Sequence, residues 1–223
     1  EINDDGTIIN KGTTSGNEPT GNENITMVSW GGKPSLSALQ QELNNPKTNP
    51  VVDFNGCEIK SHETLTIPAD KTLNIKNGEK LINAGIIKNK GSVITGGVIT
   101  NNFQIINDGT IESNYESVIS NNNTFTNNGL YTYKSGGTFY NDGTFNNKDG
   151  GIIENNSGQF YNNNTTNNDG KIVNQATIYN SGTINNNGEI EIDEGAIYNS
   201  GTTTGNVPTG SEKVLGTSWG EKP

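Results

Sequence analysis

Residues 172–186 read IVNQATIYNSGTINN: an apolar residue, an arbitrary residue and Asn, three times over, with Ile172, Ile178 and Ile184 six positions apart. The same triplet recurs from Leu81 onward, for example at Leu81-Ile82-Asn83, Ile87-Lys88-Asn89, Ile105-Ile106-Asn107, Phe125-Thr126-Asn127, Phe145-Asn146-Asn147 and Ile197-Tyr198-Asn199. Turn residues follow each copy, as in Asn107-Asp108-Gly109 and Asn180-Ser181-Gly182, where Asn and Gly tolerate the left-handed backbone of a sharp bend. A helix has no such period. The pattern predicts short strand, bend, short strand, with the apolar residue pointing inward, the middle residue outward, and Asn opening the corner.

A longer period overlies the six. Tyr140, Tyr161, Tyr179 and Tyr198 occupy the middle of their triplets at spacings of 21, 18 and 19, three short units per circuit. Stepping back by similar amounts reaches Ser120, Thr100 and Ile82, so the register holds for about seven turns. The fold class expected is all-β: a three-sided parallel β-helix, or β-solenoid, with coils of about 18–21 residues. Stacked rungs about 4.8 Å apart place each Asn against its like above and below. The expected ladder is Asn83, Asn101, Asn121, Asn141, Asn162, Asn180 and Asn199, backed by an inner column of Leu81, Ile99, Ile119, Phe139, Phe160, Ile178 and Ile197.

Composition agrees with a narrow core. Hydrophobic residues make up 28% of the 223, the mean hydropathy is -0.69, and 39 residues are Asn, so a two-layer globule is not expected. The net charge is -10 and all 14 basic residues are Lys, which disfavours nucleic acid and anionic membranes as partners. No apolar run approaches the ~20 residues of a membrane span, and no signal-peptide pattern opens the chain. Cys57 is the only cysteine and reads as a buried thiol.

Before the regular coils, Pro34–Leu43 carries Leu at helical spacing with Ser available as cap and Asn-Asn-Pro as terminator. It predicts a short helix covering a coil edge, followed by strands near Val51–Phe54, Glu63–Ile67 and Thr72–Ile75. The run Glu63–Val93, ETLTIPADKTLNIKNGEKLINAGIIKNKGSV, resembles the opening coils of right-handed parallel β-helix (pectin-lyase-like) domains in large bacterial and archaeal surface or adhesin-like repeat proteins. The resemblance spans about Ser35 to Gly201 and implies a right-handed winding. It also raises catalysis, because many proteins of that fold degrade polysaccharides.

The final residues, Asn199–Pro223, repeat Asn10–Pro34 at an offset of 189, with 15 of 25 positions identical. Trp30 pairs with Trp219 and Pro19 with Pro208. The chain therefore reads as a slice of a tandem array. Residues 1–11 form the end of a preceding coil or repeat, 12–34 a junction, 35–80 the capping helix and first coils, 81–201 the regular coils, and 202–223 the start of the next junction. The two Trp are expected to plug the seams. About nine coils per repeat, at about 4.8 Å each, would add roughly 40 Å of reach.

Candidate chemistry is sparse. Arg is absent, His62 lies before the coils, and Asp108 and Asp142 sit in turns where Asp is favoured for backbone reasons, so no catalytic residues are expected. Glu189, Glu191 and Asp193 share one face of a strand; an acidic edge that discourages wrong pairing accounts for them without a metal. The tyrosine column is the best-defined candidate binding face, as a sugar platform or as a stiffener. Ice binding is disfavoured because outward positions such as Lys88, Thr100, Glu112, Thr126, Asn146 and Glu191 make no repeated Thr-any-Thr rank. The expectation is a non-catalytic structural unit of an extracellular, cell-surface protein, without cofactors, whose partners are adjacent copies of itself. The alternative is a carbohydrate-binding or carbohydrate-degrading β-helix with glycans as partners.

Overall fold

A computed structural model describes residues 34–220. Within them the backbone winds as a three-sided parallel β-solenoid whose three sheets hold eight strands each. The first sheet runs from Val51–Asp53 to Glu189–Ile192, the second from Lys80–Asn83 to Val214–Gly216, and the third from Thr64–Ile67 to Thr202–Gly205. Eight rungs form where the length suggested nine, because the helix and the end segments take residues that a coil would otherwise use. The outward column pairs as expected, Thr100 on Ser120, Ser120 on Tyr140, Tyr140 on Tyr161, Tyr161 on Tyr179 and Tyr179 on Tyr198.

Each four-residue strand alternates outward and inward, so Thr138–Asn141 buries Phe139 and Asn141 and exposes Tyr140. The inner Asn is the second element of the core. Asn83 donates from Nδ2 to Asn101 Oδ1 at 2.7 Å and to the Gln104 carbonyl at 2.9 Å, one rung further on. The same pair of bonds repeats at Asn101, Asn121, Asn141, Asn162 and Asn180, with amide contacts of 2.7–2.8 Å up to Asn199.

Two further ladders were not anticipated. Asn89, Asn107, Asn127 and Asn147 bond successively up the third sheet, and Asn147 bonds Asn168, which bonds Asn186. On the first sheet Asn155 bonds Asn174 at 2.8 Å. At the foot of the third-sheet ladder the register places Ile67 opposite Asn89, and the buried Asn89 Oδ1 has no partner.

Apolar columns complete the core. Between rungs it widens to hold Phe125, Tyr131, Tyr133, Phe139, Phe145 and Phe160, with Phe125 stacked on Phe145 at 5.0 Å and Phe139 on Phe160 at 5.2 Å. Gly158 leaves room for the Tyr133 ring, against which any Cβ would collide. Burial pushes the Tyr131 and Tyr133 hydroxyls above the usual phenol value, although Ser113 bonds the Tyr131 hydroxyl at 3.0 Å. Cys57 is buried as expected, and its thiol is pushed up to about 11 by loss of solvent. Corners are as tight as the walls: at Gly182 a Cβ would run into the Asn164 carbonyl of the rung below.

Asn107→Ala removes two bonds of the ladder, from Asn89 and to Asn127, together with the bond to the Leu130 carbonyl, and strands the buried Asn127 Oδ1, which should cost about 3 kcal/mol in urea unfolding. Asn122→Ala, which removes an exposed amide bonded only to Asn102, should stay within about 0.5 kcal/mol. Equal losses would show that the interior ladders are ornamental. Alkaline titration checks the aromatic waist. Above a pH of about 10 the unfolded chain releases phenolic protons that the folded one retains, so stability falls as pH rises, by about 1.4 kcal/mol per unit for each such group. Tyr133→Phe should remove about one proton from that slope, read as the change of urea midpoint with pH.

Candidate functional site

The tyrosine column forms on the second sheet because Tyr140, Tyr161, Tyr179 and Tyr198 hold the third position of strands in unbroken register. Successive rings stand 5.0, 4.7 and 5.3 Å apart, with planes inclined by 17°, 11° and 19°. Those separations match the rung spacing, so the faces of the inner rings are turned on one another along the axis. What reaches solvent is mainly a row of edges and hydroxyls. Tyr140 and Tyr198, at the two ends, are more exposed, and Tyr161 donates its hydroxyl to Gln159 Oε1 at 2.9 Å. Partial burial, with Tyr179 and Tyr140 on either side, raises the Tyr161 hydroxyl above its ordinary value.

A shallow groove follows the column, lined by Tyr161, Tyr179, Tyr198 and Leu215 and bordered by Asn163, Ser181 and Ser200. Its border is itself tied along the axis. Asn163 donates to Asp142 at 2.8 Å and Ser181 to Asn163 at 3.2 Å. Asp108 plays the same part at another corner, accepting from Asn128 at 2.7 Å. Both aspartates thus serve corner ladders.

The acidic strip is likewise engaged. Lys171 lies 3.2 Å from Glu189 and 3.0 Å from Glu191, whose carboxylates hold the Lys171 ammonium above its usual value, Glu191 foremost. Asp193 accepts from Gln175 at 3.0 Å. Among the described residues no three His, Cys, Asp or Glu side chains gather in a way that would hold a metal ion. His62 is exposed in a left-handed turn, with φ of 70°.

On the third sheet Thr124, Thr144, Thr165, Thr183 and Thr202 do stack in one outward column, which the sequence reading did not find. Beside them Asn146, Asn167, Asn185 and Thr204 bond one another at 2.8–2.9 Å. The double Thr rank is therefore confined to single rungs, such as Thr124 with Thr126 and Thr202 with Thr204. This face is a fourth axial ladder, on the outside.

The ends of the solenoid are the other constructed places. Helix Leu36–Asn44 starts at Ser35, whose Oγ accepts from the Ala38 N–H at 3.2 Å, and lays Leu39 and Leu43 over the first rung. Gln40 reads the open edge as a peptide would: Thr66 N–H donates to its Oε1 and its Nε2 donates to the Thr66 carbonyl, both at 2.8 Å. Lys71, buried, ties the loop after the helix by donating to the Asn45 carbonyl at 2.9 Å and to Thr48 Oγ1 at 3.1 Å. Neither residue was singled out by sequence, since each acts across more than twenty positions on a backbone group that no side-chain pattern reveals.

At the other end, residues 207–220 cross the last rung. Pro208 is buried, Thr209 exchanges backbone bonds with Ile190 and Ile192 at 2.9 Å, and Val214–Gly216 pairs with Ile197–Asn199. Trp219 packs on the end of the core, and the Gly220 N–H reaches Thr203 Oγ1 at 3.0 Å. Two of the four residues expected at junctions, Pro208 and Trp219, thus seal this same stack. Pro19 and Trp30 lie outside the described residues. No described helix is long and apolar enough to cross a membrane.

Compared with protein families, with curated proteins and with solved structures, the chain matches none of them. Its architecture, an all-β three-sided parallel solenoid with asparagine ladders and a short helix at one end, stands on its own geometry.

Gln40→Ala should cost about 2 kcal/mol and free the Thr66 edge for pairing with another chain. Sedimentation velocity should then show association that grows with concentration. A variant that stays as monomeric as the parent would mean that the helix covers the edge without its glutamine.

Proposed function

We propose that the chain is a non-catalytic structural unit of an extracellular tandem-repeat surface protein, serving as a rigid stalk, a filament subunit or an adhesin segment. The observation that carries this reading is the union of an uninterrupted axial stack with a closing segment whose sequence recurs 189 residues away. Eight rungs held by backbone bonds, three inner amide ladders and stacked side chains on two outer faces make an object that resists bending. That object is useful where length must be kept. A right-handed winding and kinship with the pectin-lyase-like repeats of bacterial or archaeal surface proteins belong to the same proposal, on the strength of Glu63–Val93. The carboxylates engaged by Lys171, Asn128 and Asn163 favour a non-catalytic role.

A second reading, carbohydrate binding along the tyrosines, is favoured by the groove with its Asn and Ser border. It is weakened by the stacking, which leaves the inner ring faces covered by neighbouring rings.

Small-angle scattering of chains with one, two and three copies of the repeat tests the first reading. Maximum dimension should grow linearly, by roughly 40 Å per copy from eight rungs about 4.8 Å apart with their end segments. Growth as the square root of copy number would describe beads on a flexible string and refute the stalk. A glycan array tests the second: selective binding that disappears in Tyr161→Ala and Tyr179→Ala would move the assignment to carbohydrate recognition.

A further inference from the structure

Four asparagines are followed directly by glycine: Asn55, Asn77, Asn128 and Asn187. In that pair a side-chain amide is most readily lost, because a glycine, lacking a Cβ, lets its nitrogen reach the asparagine Cγ. Attack needs a free glycine N–H and a backbone able to turn. The fold withholds both at two of the four places. Gly129 and Gly188 close corners of the stack, where their N–H groups donate to the Asn107 carbonyl at 3.0 Å and the Asn168 carbonyl at 2.9 Å in the rung below. A Cβ there would run into the carbonyls of Gly109 and Gly170. Their asparagines are held too, Asn128 by Asp108 and Asn187 by Asp169. Asn55 is half-buried and engaged twice, accepting from the Cys57 N–H and donating to the Ser35 carbonyl, both at 3.1 Å.

Asn77 differs on every count. Residues 76–79 form an exposed turn, closed by the Glu79 N–H on the Lys76 carbonyl at 3.1 Å and by the Lys76 N–H on the Glu79 carboxylate at 2.6 Å. Gly78 stands at φ 83° with open space where a Cβ would be, and no described residue accepts from its N–H. The tie on the Asn77 side chain is its own Nδ2, which donates to Glu116 Oε2 at 2.7 Å.

We propose that Asn77 is a site of spontaneous modification in the folded chain, where water replaces its carboxamide with a carboxylate. The Gly78 nitrogen bonds to Asn77 Cγ and gives up its proton, the Cγ–Nδ2 bond breaks, and ammonia leaves behind a cyclic imide. Water then adds to one of the two imide carbonyls. Opening at Cγ yields aspartate, and opening at the main-chain carbonyl yields an isoaspartyl linkage that routes the backbone through the side chain. Nothing is oxidised or reduced.

The place matters because Asn77 is a clasp. It lies at the corner after strand Thr72–Ile75, and Glu116 follows Thr110–Ser113, two rungs further along the same sheet. The corner between them is Gly96-Gly97, which has no side chain to interpose, so the amide crosses it. Glu116 is itself held in the left-handed region, at φ 65°, which is uncommon for a residue with a Cβ. A carboxylate at position 77 has no donor to offer and faces another carboxylate. The modification thus unfastens residues 114–117 from the earlier corner, while the inner ladders share no bond with it.

Peptide mapping by mass spectrometry tests the site in the full chain, aged at mildly alkaline pH with and without urea. Folded, Asn77 should lose its amide about ten-fold or more faster than Asn128 and Asn187, which must first give up a rung-to-rung bond. In urea the four Asn-Gly pairs should react within a few-fold of one another. Equal rates at Asn77 and Asn128 in the folded chain would overturn the proposal, as would an Asn77 that stays intact while the unfolded chain reacts. The clasp has its own readout. Asn77→Asp should speed hydrogen exchange of residues 114–117 several-fold, and adding Glu116→Gln should restore protection, since a carboxamide can donate to the new carboxylate. Exchange unchanged by Asn77→Asp would overturn the clasp.

Discussion

Everything in this solenoid depends on one demand, that a buried asparagine meet another asparagine one circuit later. The carboxamide has two donors on nitrogen, and the ladder uses both toward the next rung: one on the neighbouring Oδ1 and one on a corner carbonyl, as Asn101 does with Asn121 and Thr124. A slip of one residue would turn every amide outward and every threonine or tyrosine inward, leaving buried carbonyls unpaired at about 1–3 kcal/mol each. Register is therefore held by polar satisfaction as much as by hydrocarbon. This explains how a chain with 28% hydrophobic residues keeps a single winding.

The same demand shapes corners and core. Because the amides bring successive corners into contact, the residue two past the ladder asparagine has no space for a side chain where the rungs touch, as at Gly182 and Gly201. Because each strand gives the interior only two side chains, one of them commonly Asn, the apolar filling is a thin thread. It thickens only where six aromatic residues from Phe125 to Phe160 share a few rungs. Thr166 shows the accommodation on the far side of that waist. It replaces the apolar residue of its column and donates its hydroxyl to Asn162 Oδ1 at 2.9 Å, so polarity inside the thread is admitted when a ladder amide can absorb it.

Much of this was written in the spacing of residues. The column from Leu81 to Ile197, the ladder from Asn83 to Asn199 and the outward tyrosines follow from the position of one apolar residue and one Asn per triplet. Neighbouring triplets six apart lie on different sides of the coil, and that is where the reading stopped short. Asn89, Asn107, Asn127 and Asn147 were visible as triplet residues but not as a ladder, since insertions at the corners blur which triplet stacks on which. The Thr column was hidden for another reason: it precedes the apolar residue that anchors the pattern, so no motif centred on that residue contains it. Gln40 and Lys71 are of a third kind, because they bond backbone groups, and any polar side chain of suitable length at the right place in space would do as well.

A ladder in which every amide points the same way has two unlike ends. At the start it leaves acceptors: Asn83 Oδ1 is met by its own Gly85 N–H at 3.1 Å, while Asn89 Oδ1 is left without a partner. At the finish it leaves donors, and these are taken by the residues that follow the last rungs, Asn186 Nδ2 by the Asn206 carbonyl and Asn199 Nδ2 by the Thr217 carbonyl, each at 2.7 Å. Acceptors at one end and donors at the other would suit one stack growing directly onto the next. The chain covers both ends, with a helix that occupies the first edge and a final stretch, residues 206–220, that carries Trp219 and takes up these donors. The described stack is thus tied along its axis by continuous ladders and yet bounded, because the groups that would extend it are already engaged from within.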